Sequence, residues 1–316
     1  MKRAISALIL LALVAMLAVP CFGQAAPVRV GALTGPTAMG MAQLLNQPEY
    51  TPTIVGAADE LMPRILQGEV DIAAVPANLA ATLYQKTNGQ VTVLAVNVLG
   101  VLYIGELGGE TVQTVADLKG KTLLATGKGA TPEYFLRYIL TQNGLDPDKD
   151  VAIQWKSEPS EVVALLNAKG EGLAMLPQPY VTAAANQLGE NFRIALSVSE
   201  EWEKLESDSR CTTAVVMART AFVQEHPEQV QAFLEALSQS VQWVNDQPQE
   251  AAALCEQLGI IKAGIAKKAI PGCNLVCITG DEMKQALSGC LEVIYDQNPK
   301  AVGGSLPGDD FYYGAE

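Results

Sequence analysis

The sequence predicts an α/β protein made of two related lobes that face a common cleft. Helical and strand-like hydrophobic periods alternate along most of the chain, which is typical of α/β folds. A pattern of strand, glycine-containing loop and helix also occurs twice, each time followed by a second strand that ends in a proline loop. Two related halves with loops of this kind are suited to holding a small molecule between them.

The first copy of the pattern lies near the N-terminus. Residues 28–33 predict a strand, a glycine-threonine loop follows over 34–37, and a helix is expected over about 38–46. A second strand over 68–75 then leads into a proline loop at 76–78 and another helix.

The second copy repeats this order. Residues 121–125 predict a strand, which is followed by a loop over 126–132 and a helix from about Glu133. A strand over 170–176 then leads into a loop at 177–180 and a further helix.

Two continuous strand-like segments, 91–104 and 213–217, bracket the second copy. A chain that enters a second lobe through one strand and returns through another has two hinge connections, expected here near 99–104 and 213–217. The predicted lobes are 26–100 with 218–316, and 105–212.

The C-terminal part of the chain predicts two long helices. One begins near Pro227, since proline suits the first turn, and keeps an apolar stripe over 230–244. The other opens at Asp281 and ends before Pro299.

The N-terminus indicates an export signal. Two basic residues precede an apolar run over 4–19, and cleavage is expected near Ala25, giving a signal peptide over 1–25. Cys21 raises the alternative of lipid attachment, although Pro20 stands where a small residue is usual. In either case the chain is expected outside the cytoplasm, in the periplasm or at the cell surface.

The net charge of the chain limits the classes of partner that it can bind. The chain has a net charge of −13, and loss of two positive and no negative charges with the signal leaves −15. A protein this acidic repels phosphates, so a nucleic-acid partner is excluded. We expect a monomer with a small-molecule partner.

Cysteines give no sign of a metal or redox site. Five remain after the signal, an odd number that cannot all pair internally, and buried free thiols are the simplest expectation. Cys273 and Cys277 have three residues between them and no histidine nearby.

Solute-binding residues are expected in the four strand-to-helix loops, because ligands of α/β folds collect at the carboxyl ends of strands. Backbone N–H groups and helix dipoles there favour polar or anionic groups. Lys128 could neutralise an acidic solute or be an ordinary exposed lysine. Thr37 and Asn78 could instead cap helices, and Tyr180 could simply pack.

A fifth loop over 270–275 could return the first lobe's chain to the cleft. The predicted solute-binding residues are Thr34, Gly35, Thr37, Met39, Asn78, Lys128, Gly129, Thr131, Gln178, Tyr180 and Asn274.

No set of residues suggests catalysis. The only histidine, His226, precedes a proline at a helix start, so a nucleophile activated by histidine is not expected. No metal-ligand or dinucleotide motif is present. We therefore expect no enzyme, no metal and no cofactor. The role of Asp71, in a predicted strand, stays open.

The sequence resembles the substrate-binding proteins of ABC importers, of the nitrate/sulfonate/taurine type. The likeness runs through nearly the whole mature chain. Its motifs are residues 31–37, 70–73, 115–121, 127–132, 176–182 and 222–228.

The resemblance implies a bilobal periplasmic-binding-protein fold of type II, closing on its ligand by hinge motion. It also implies delivery to a membrane permease driven by a cytoplasmic ATPase. By position, the family's binding loops correspond to the loop residues named above. The resemblance leaves the ligand open, and we expect a small polar organic solute, anionic or heteroaromatic among the options.

Two alternatives share this fold. One is an enzyme of pyrimidine or menaquinone precursor synthesis, against which the export signal argues. The other is a ligand sensor that reports to a membrane receptor, which closes on its ligand in the same way.

Overall fold

The computed structural model describes residues 26–205 and 209–315. The predicted signal peptide and the lipid-attachment residue Cys21 lie outside these ranges. Within them, the strands are β1 (Val28–Leu33), β2 (Tyr50–Val55), β3 (Ile72–Pro76), β4 (Val91–Leu99), β5 (Leu102–Leu107), β6 (Thr122–Thr126), β7 (Ala152–Lys156), β8 (Gly172–Pro177), β9 (Phe192–Ser197), β10 (Thr212–Arg219) and β11 (Leu275–Ile278).

Helices follow or connect most of these strands. They are α1 (Pro36–Met39), α2 (Ala42–Leu45), α3 (Ala58–Leu66), α4 (Ala77–Lys86), α5 (Thr131–Gln142), α6 (Pro159–Lys169), α7 (Tyr180–Leu188), α8 (Val198–Glu203), α9 (Thr220–Glu225), α10 (Pro227–Asp246), α11 (Pro248–Gln257), α12 (Ala263–Ala269) and α13 (Gly280–Gln297).

The strands form two mixed sheets, each the centre of one lobe. The first sheet has the order β11-β4-β10-β3-β1-β2, and the second has the order β7-β6-β8-β5-β9. In the first lobe β1 runs parallel to β2 and β3, and in the second lobe β6 runs parallel to β7 and β8. Parallel neighbours need a crossover, which the helices between them supply. The predicted α/β bilobal fold is thus confirmed.

The first crossing between lobes is short. β4 ends at Leu99 and β5 begins at Leu102 in the other sheet, so Gly100 and Val101 join the lobes. A Cβ at Gly100 would lie 2.8 Å from the Cys211 sulfur, in the returning segment. Only a glycine fits where the two crossing segments approach so closely.

The return crossing comes earlier than predicted. β10 pairs with β3 and β4 along its length, so residues 213–217 lie inside the first sheet and the chain returns before Thr212. The apolar run over 213–217 indicates a buried strand, but it does not indicate which sheet that strand joins. Residues 213–217 therefore belong to the first sheet, and the position of the hinge stays a prediction.

The helix expected over 38–46 is also interrupted. It forms two short helices, α1 and α2, with Gly40 and Met41 between them. The Ser240 hydroxyl, on α10, donates to the Gly40 carbonyl at 2.8 Å and accepts from the Leu44 N–H at 3.3 Å. These bonds replace pairings that a continuous helix would make internally.

Helix α13 ties the two lobes together. It packs on α4 and β4 of the first lobe and on α5 of the second. The Gln297 amide donates to the Tyr134 carbonyl at 3.0 Å, and the Asn298 amide donates to the Tyr134 hydroxyl at 2.8 Å. One apolar core runs through both lobes here and includes Phe135, Trp202 and Ile294.

Within the described ranges, no helix has both the length and the apolar character to cross a membrane. The five cysteines after the signal are free thiols, and four of them are buried.

The structure gives Asp71 a role at the edge of the first sheet away from the predicted loops. It lies just before β3 and is 7% exposed. Arg29 Nε donates to its carboxylate at 2.8 Å and Arg219 Nη2 at 2.7 Å. Burial alone would raise the pKa of Asp71, but the hydrogen bonds from both arginines outweigh it and the pKa is lowered. Asp71 therefore joins the starts of β1 and β3 to the end of β10.

We expect Asp71→Asn to lower the free energy of unfolding by about 2–3 kcal/mol near neutral pH. Both guanidinium groups are partly exposed, which keeps the loss below that of a fully buried pair. The pKa of Asp71 is lower folded than unfolded, where it is about 3.9. Its contribution is therefore present above that value and lost as the pH falls through the folded-state pKa.

Urea denaturation near neutral pH and at about pH 3 measures this effect. Asp148→Asn is the control, because Asp148 also pairs with an arginine but its side chain is 69% exposed. The control should lose much less stability. Equal losses in the two variants would contradict the role given to Asp71.

Candidate solute-binding site

The predicted loops lie at facing edges of the two sheets. β1 and β3 are parallel neighbours, and so are β6 and β8, so the loops that follow each pair are adjacent. Asn78 stands in the first turn of α4, in the first lobe, and Thr131 opens α5, in the second. The Thr131 hydroxyl donates to Asn78 Oδ1 at 3.1 Å. Two predicted residues therefore meet directly across the two lobes.

A second contact across the lobes involves the fifth loop. Tyr103, on β5, donates its hydroxyl to the carbonyl of Gly272 in the first lobe at 2.7 Å. Burial raises the pKa of Tyr103 to about 12, so this hydroxyl stays protonated and can donate. The predicted residue Gln178 is 5% exposed, and a Cβ added to Gly272 would lie 2.6 Å from its Nε2. Gln178 therefore lies directly against the fifth loop.

Hydrogen bonds fix the side chains around this contact. Gln178 Oε1 accepts from the Thr182 hydroxyl at 2.8 Å, one turn along the chain. Asn274 has a φ of +45°, and its amide donates to the Gly100 carbonyl at 2.5 Å. The fifth loop is thus held to the interlobe crossing by Asn274.

The remaining predicted residues fall into two groups. Thr34, Lys128, Gly129 and Tyr180 are exposed, and no contact among the described residues joins them to the two clusters above. Gly35, Thr37 and Met39 are buried instead. Thr37 donates its hydroxyl to the Leu33 carbonyl at 2.7 Å, and Met39 packs in the first-lobe core. Met39 therefore has no surface for a solute in this conformation.

Prolines and Glu133 take some of the loops' backbone donors away from an anion. A proline stands within or beside the first turn of each loop helix and removes a backbone N–H there; these are Pro36, Pro76, Pro132 and Pro179. The N–H of Gly129 is already taken, because it donates to the Glu133 carboxylate at 2.7 Å. The protein's own carboxylate therefore occupies the position that an anionic solute would use.

Lys128→Gln is expected to change solute affinity by less than about twofold and to leave its salt dependence unaltered. The reason is that Lys128 is exposed and lies beside the Gly129 N–H, where Glu133 already supplies the negative charge. Titration calorimetry at low and high salt measures both quantities. A large loss of affinity with a flatter salt response would instead assign Lys128 to an acidic solute.

Sequence reasoning missed several residues at this interface. Tyr103 and Gly272 meet only when the lobes approach, and they are 169 positions apart. Lys268 likewise donates to Asn186 of the other lobe at 2.5 Å. Sequence reasoning also missed Glu133, which accepts from the Gly129 N–H, and the buried residue Asn97. Asn97 alone had a visible signal, since it is one of two polar residues in the apolar strand β4.

Other cavities lie away from these loops. One of about 350 Å³ is at the far edge of the second sheet, where Leu107 ends β5 and Thr122 and Gly172 begin β6 and β8. At the loops themselves, Thr131 contacts Asn78 and Tyr103 contacts Gly272 across the two lobes.

Two α/β lobes, joined by crossing segments and meeting through their strand-to-helix loops, define the periplasmic-binding-protein class of fold. Residues 51–259 match the model of the NMT1-like family, and the chain belongs to this family. No curated protein matched the chain.

Solved structures agree with this assignment. The chain is 26% identical to an ABC transporter structure from Parabacteroides distasonis, with a TM-score of 0.77 over 91% of this chain and 99% of that one. It is 19% identical to the periplasmic aliphatic sulphonate binding protein SsuA from Escherichia coli, with a TM-score of 0.69 over 89% and 91%. The second likeness shows the fold alone. The predicted resemblance is confirmed, since the chain belongs to the NMT1-like family and is similar to an ABC transporter structure over almost its whole length.

Proposed function

We propose that this chain is the exported solute-binding component of an ABC importer. It takes a small polar organic solute between its lobes and delivers it to a membrane permease driven by a cytoplasmic ATPase. The observation that supports the proposal best is the Thr131–Asn78 hydrogen bond, because it joins predicted binding loops of opposite lobes.

Capture follows from the two crossings. The lobes turn about Gly100 and Val101 and about the segment before Thr212, which exposes the loops. A solute that touches both lobes binds the closed form better than the open form, and so shifts the population toward closure. The closed form differs in shape from the open form, and a permease can recognise that difference.

Polar side chains at the interface would hold the solute when the lobes close on it. Asn78 and Gln178 each carry an amide donor and a carbonyl acceptor, and Thr131 and Tyr103 carry hydroxyls. Thr131 bonds to Asn78 and Tyr103 to the Gly272 carbonyl across the lobes, whereas Asn78 and Gln178 also bond within their own lobes to the Ala301 carbonyl and the Thr182 hydroxyl. A solute between the closed lobes would bond to the donors and acceptors that these contacts leave free, so the site favours molecules with a complementary hydrogen-bonding edge.

A thermal-shift screen of the mature protein tests this function. The panel contains small anions, sulfonates, pyrimidines, vitamins and amino acids. A solute at about one hundred times its dissociation constant stabilises the folded state by about 2.7 kcal/mol, which raises the melting temperature by several degrees. Calorimetry should then give one site per chain, and uptake of the same solute should fall in cells that lack the protein. Failure of every solute class to bind would overturn the proposal.

A further inference from the structure

Asn97 is a buried amide at the base of the first loop. It is 1% exposed, and its Nδ2 donates to the carbonyl of Thr37, in α1, at 3.2 Å. Its Oδ1 is also buried and receives no hydrogen bond from any residue that the structure describes. A buried acceptor without a donor lowers the free energy of unfolding, so its presence in a folded protein calls for an explanation.

A β-bulge accounts for where this side chain points. Along β4, Val96 pairs with Val215 and Val98 pairs with Ala214, so Asn97 is the extra residue opposite β10. An extra residue bends the strand and redirects its own side chain, and such bulges are common beside binding sites. Here the amide is directed toward the first turn of α1, which follows the predicted loop residues Thr34 and Gly35.

Some of the backbone donors near the loops are missing or already bonded. As described above, prolines remove backbone donors from the loops, and Glu133 occupies the N–H of Gly129. Asn97 Oδ1 adds an acceptor with no donor of its own. A carboxamide oxygen attracts N–H groups and repels the oxygens of nitrate, sulfonate or carboxylate.

We propose that Asn97 is a solute-binding residue whose Oδ1 accepts a hydrogen bond from an N–H group of the solute. This inference rests on the proposed function and specifies its solute class. The site takes an uncharged or cationic solute with an amide or amine N–H and discriminates against oxyanions. While Oδ1 binds the solute, Nδ2 holds α1 in place through Thr37.

Matched solutes test the proposal on the wild-type protein. The probes are benzamide and nicotinamide, any solute from the thermal-shift screen whose only N–H groups are those of a primary amide, the N,N-dimethyl form of each, and methanesulfonate and nitrate. The best N–H solute should bind at least about tenfold more tightly than its dimethyl form, because methylation removes the donor. Methanesulfonate and nitrate should not bind measurably.

A variant separates solute recognition from packing. Asn97→Leu should reduce the preference for the N–H form to within about twofold. The matched control is Thr92→Val, which removes the other buried polar side chain of β4, bonded to Thr220 at 3.0 Å. This control should keep the preference. If Asn97 only supports α1, Asn97→Leu will weaken both forms equally, and an unchanged ratio would overturn the proposal.

If Asn97→Leu does not fold, a crystal structure of the wild-type protein with its solute tests the proposal instead. A solute nitrogen should lie about 3 Å from Asn97 Oδ1. A water molecule at that place, with the solute elsewhere, would overturn the proposal. Tight binding of an oxyanion would also overturn it but leave the proposed function standing. Only the failure of every solute class to bind would overturn both this proposal and the proposed function.

Discussion

Gly272→Ala is expected to weaken solute binding by about tenfold, and Gly272→Val by more, with little loss of folding stability. The added Cβ would lie 2.6 Å from Gln178 Nε2 and 3.2 Å from the Tyr103 hydroxyl, and both of these groups belong to the other lobe. Gln178 is 5% exposed and already bonded to Thr182, so it has little room to move. The new side chain therefore opposes closure rather than folding.

Two measurements check this prediction. Calorimetry with the solute from the screen gives the affinity, and small-angle X-ray scattering of the solute-free protein should show a larger radius of gyration. Gly264→Ala, on an exposed part of α12 in the same lobe, makes the same change where nothing lies within 4 Å. Wild-type affinity in Gly272→Val would mean that this contact does not form when the solute binds.

Asn78→Ala is expected to weaken binding by about tenfold or more, because it removes both a predicted solute contact and the bond across the lobes. Thr131→Val removes the same bond from the other side. In a double-mutant cycle the two changes should couple by about 0.5–1.5 kcal/mol in binding free energy.

Thr82→Val is the matched control for Thr131→Val. The Thr82 hydroxyl donates to the Asn78 carbonyl at 2.9 Å, but this bond stays inside the first lobe. Its loss should lower stability slightly and leave affinity unchanged. Strict additivity of Asn78→Ala and Thr131→Val would show that their hydrogen bond plays no part in closure.

Much of the fold could be predicted because its signals are local. The strand-to-helix loops of both copies carry glycine, proline and threonine at points where the hydrophobic period changes, and the structure has helices after each of these strands. Three of the family motifs, 31–37, 127–132 and 176–182, include these loops. Local patterns therefore sufficed for the bilobal architecture.

The misplaced elements depend on distant parts of the chain. The break after α1 is fixed by Ser240, 200 positions from Gly40. The apolar residues of β10 fit either sheet equally well, and only their pairing with β3 and β4 assigns them to the first lobe. No local sequence pattern indicates either the break after α1 or the sheet that β10 joins.

The candidate site was partly predictable for the same reason. Asn78 and Thr131 each stand at a recognisable loop, so both could be selected, although their mutual contact could not. Tyr103 and Gly272 have no motif of their own, because their bond exists only when the lobes approach. The position of Glu133 could not be predicted, since a carboxylate in the first turn of a helix gives no sign in the sequence that it accepts from the Gly129 N–H.

The crystal structure of the protein with its solute tests the central claim most directly. We expect the solute between the lobes, touching Asn78 or Thr131 on one cluster and Gln178 or Tyr103 on the other, with groups from both sheets within hydrogen-bond distance. A solute bound to one lobe only, such as in the 350 Å³ cavity at the far edge of the second sheet, would contradict capture by closure.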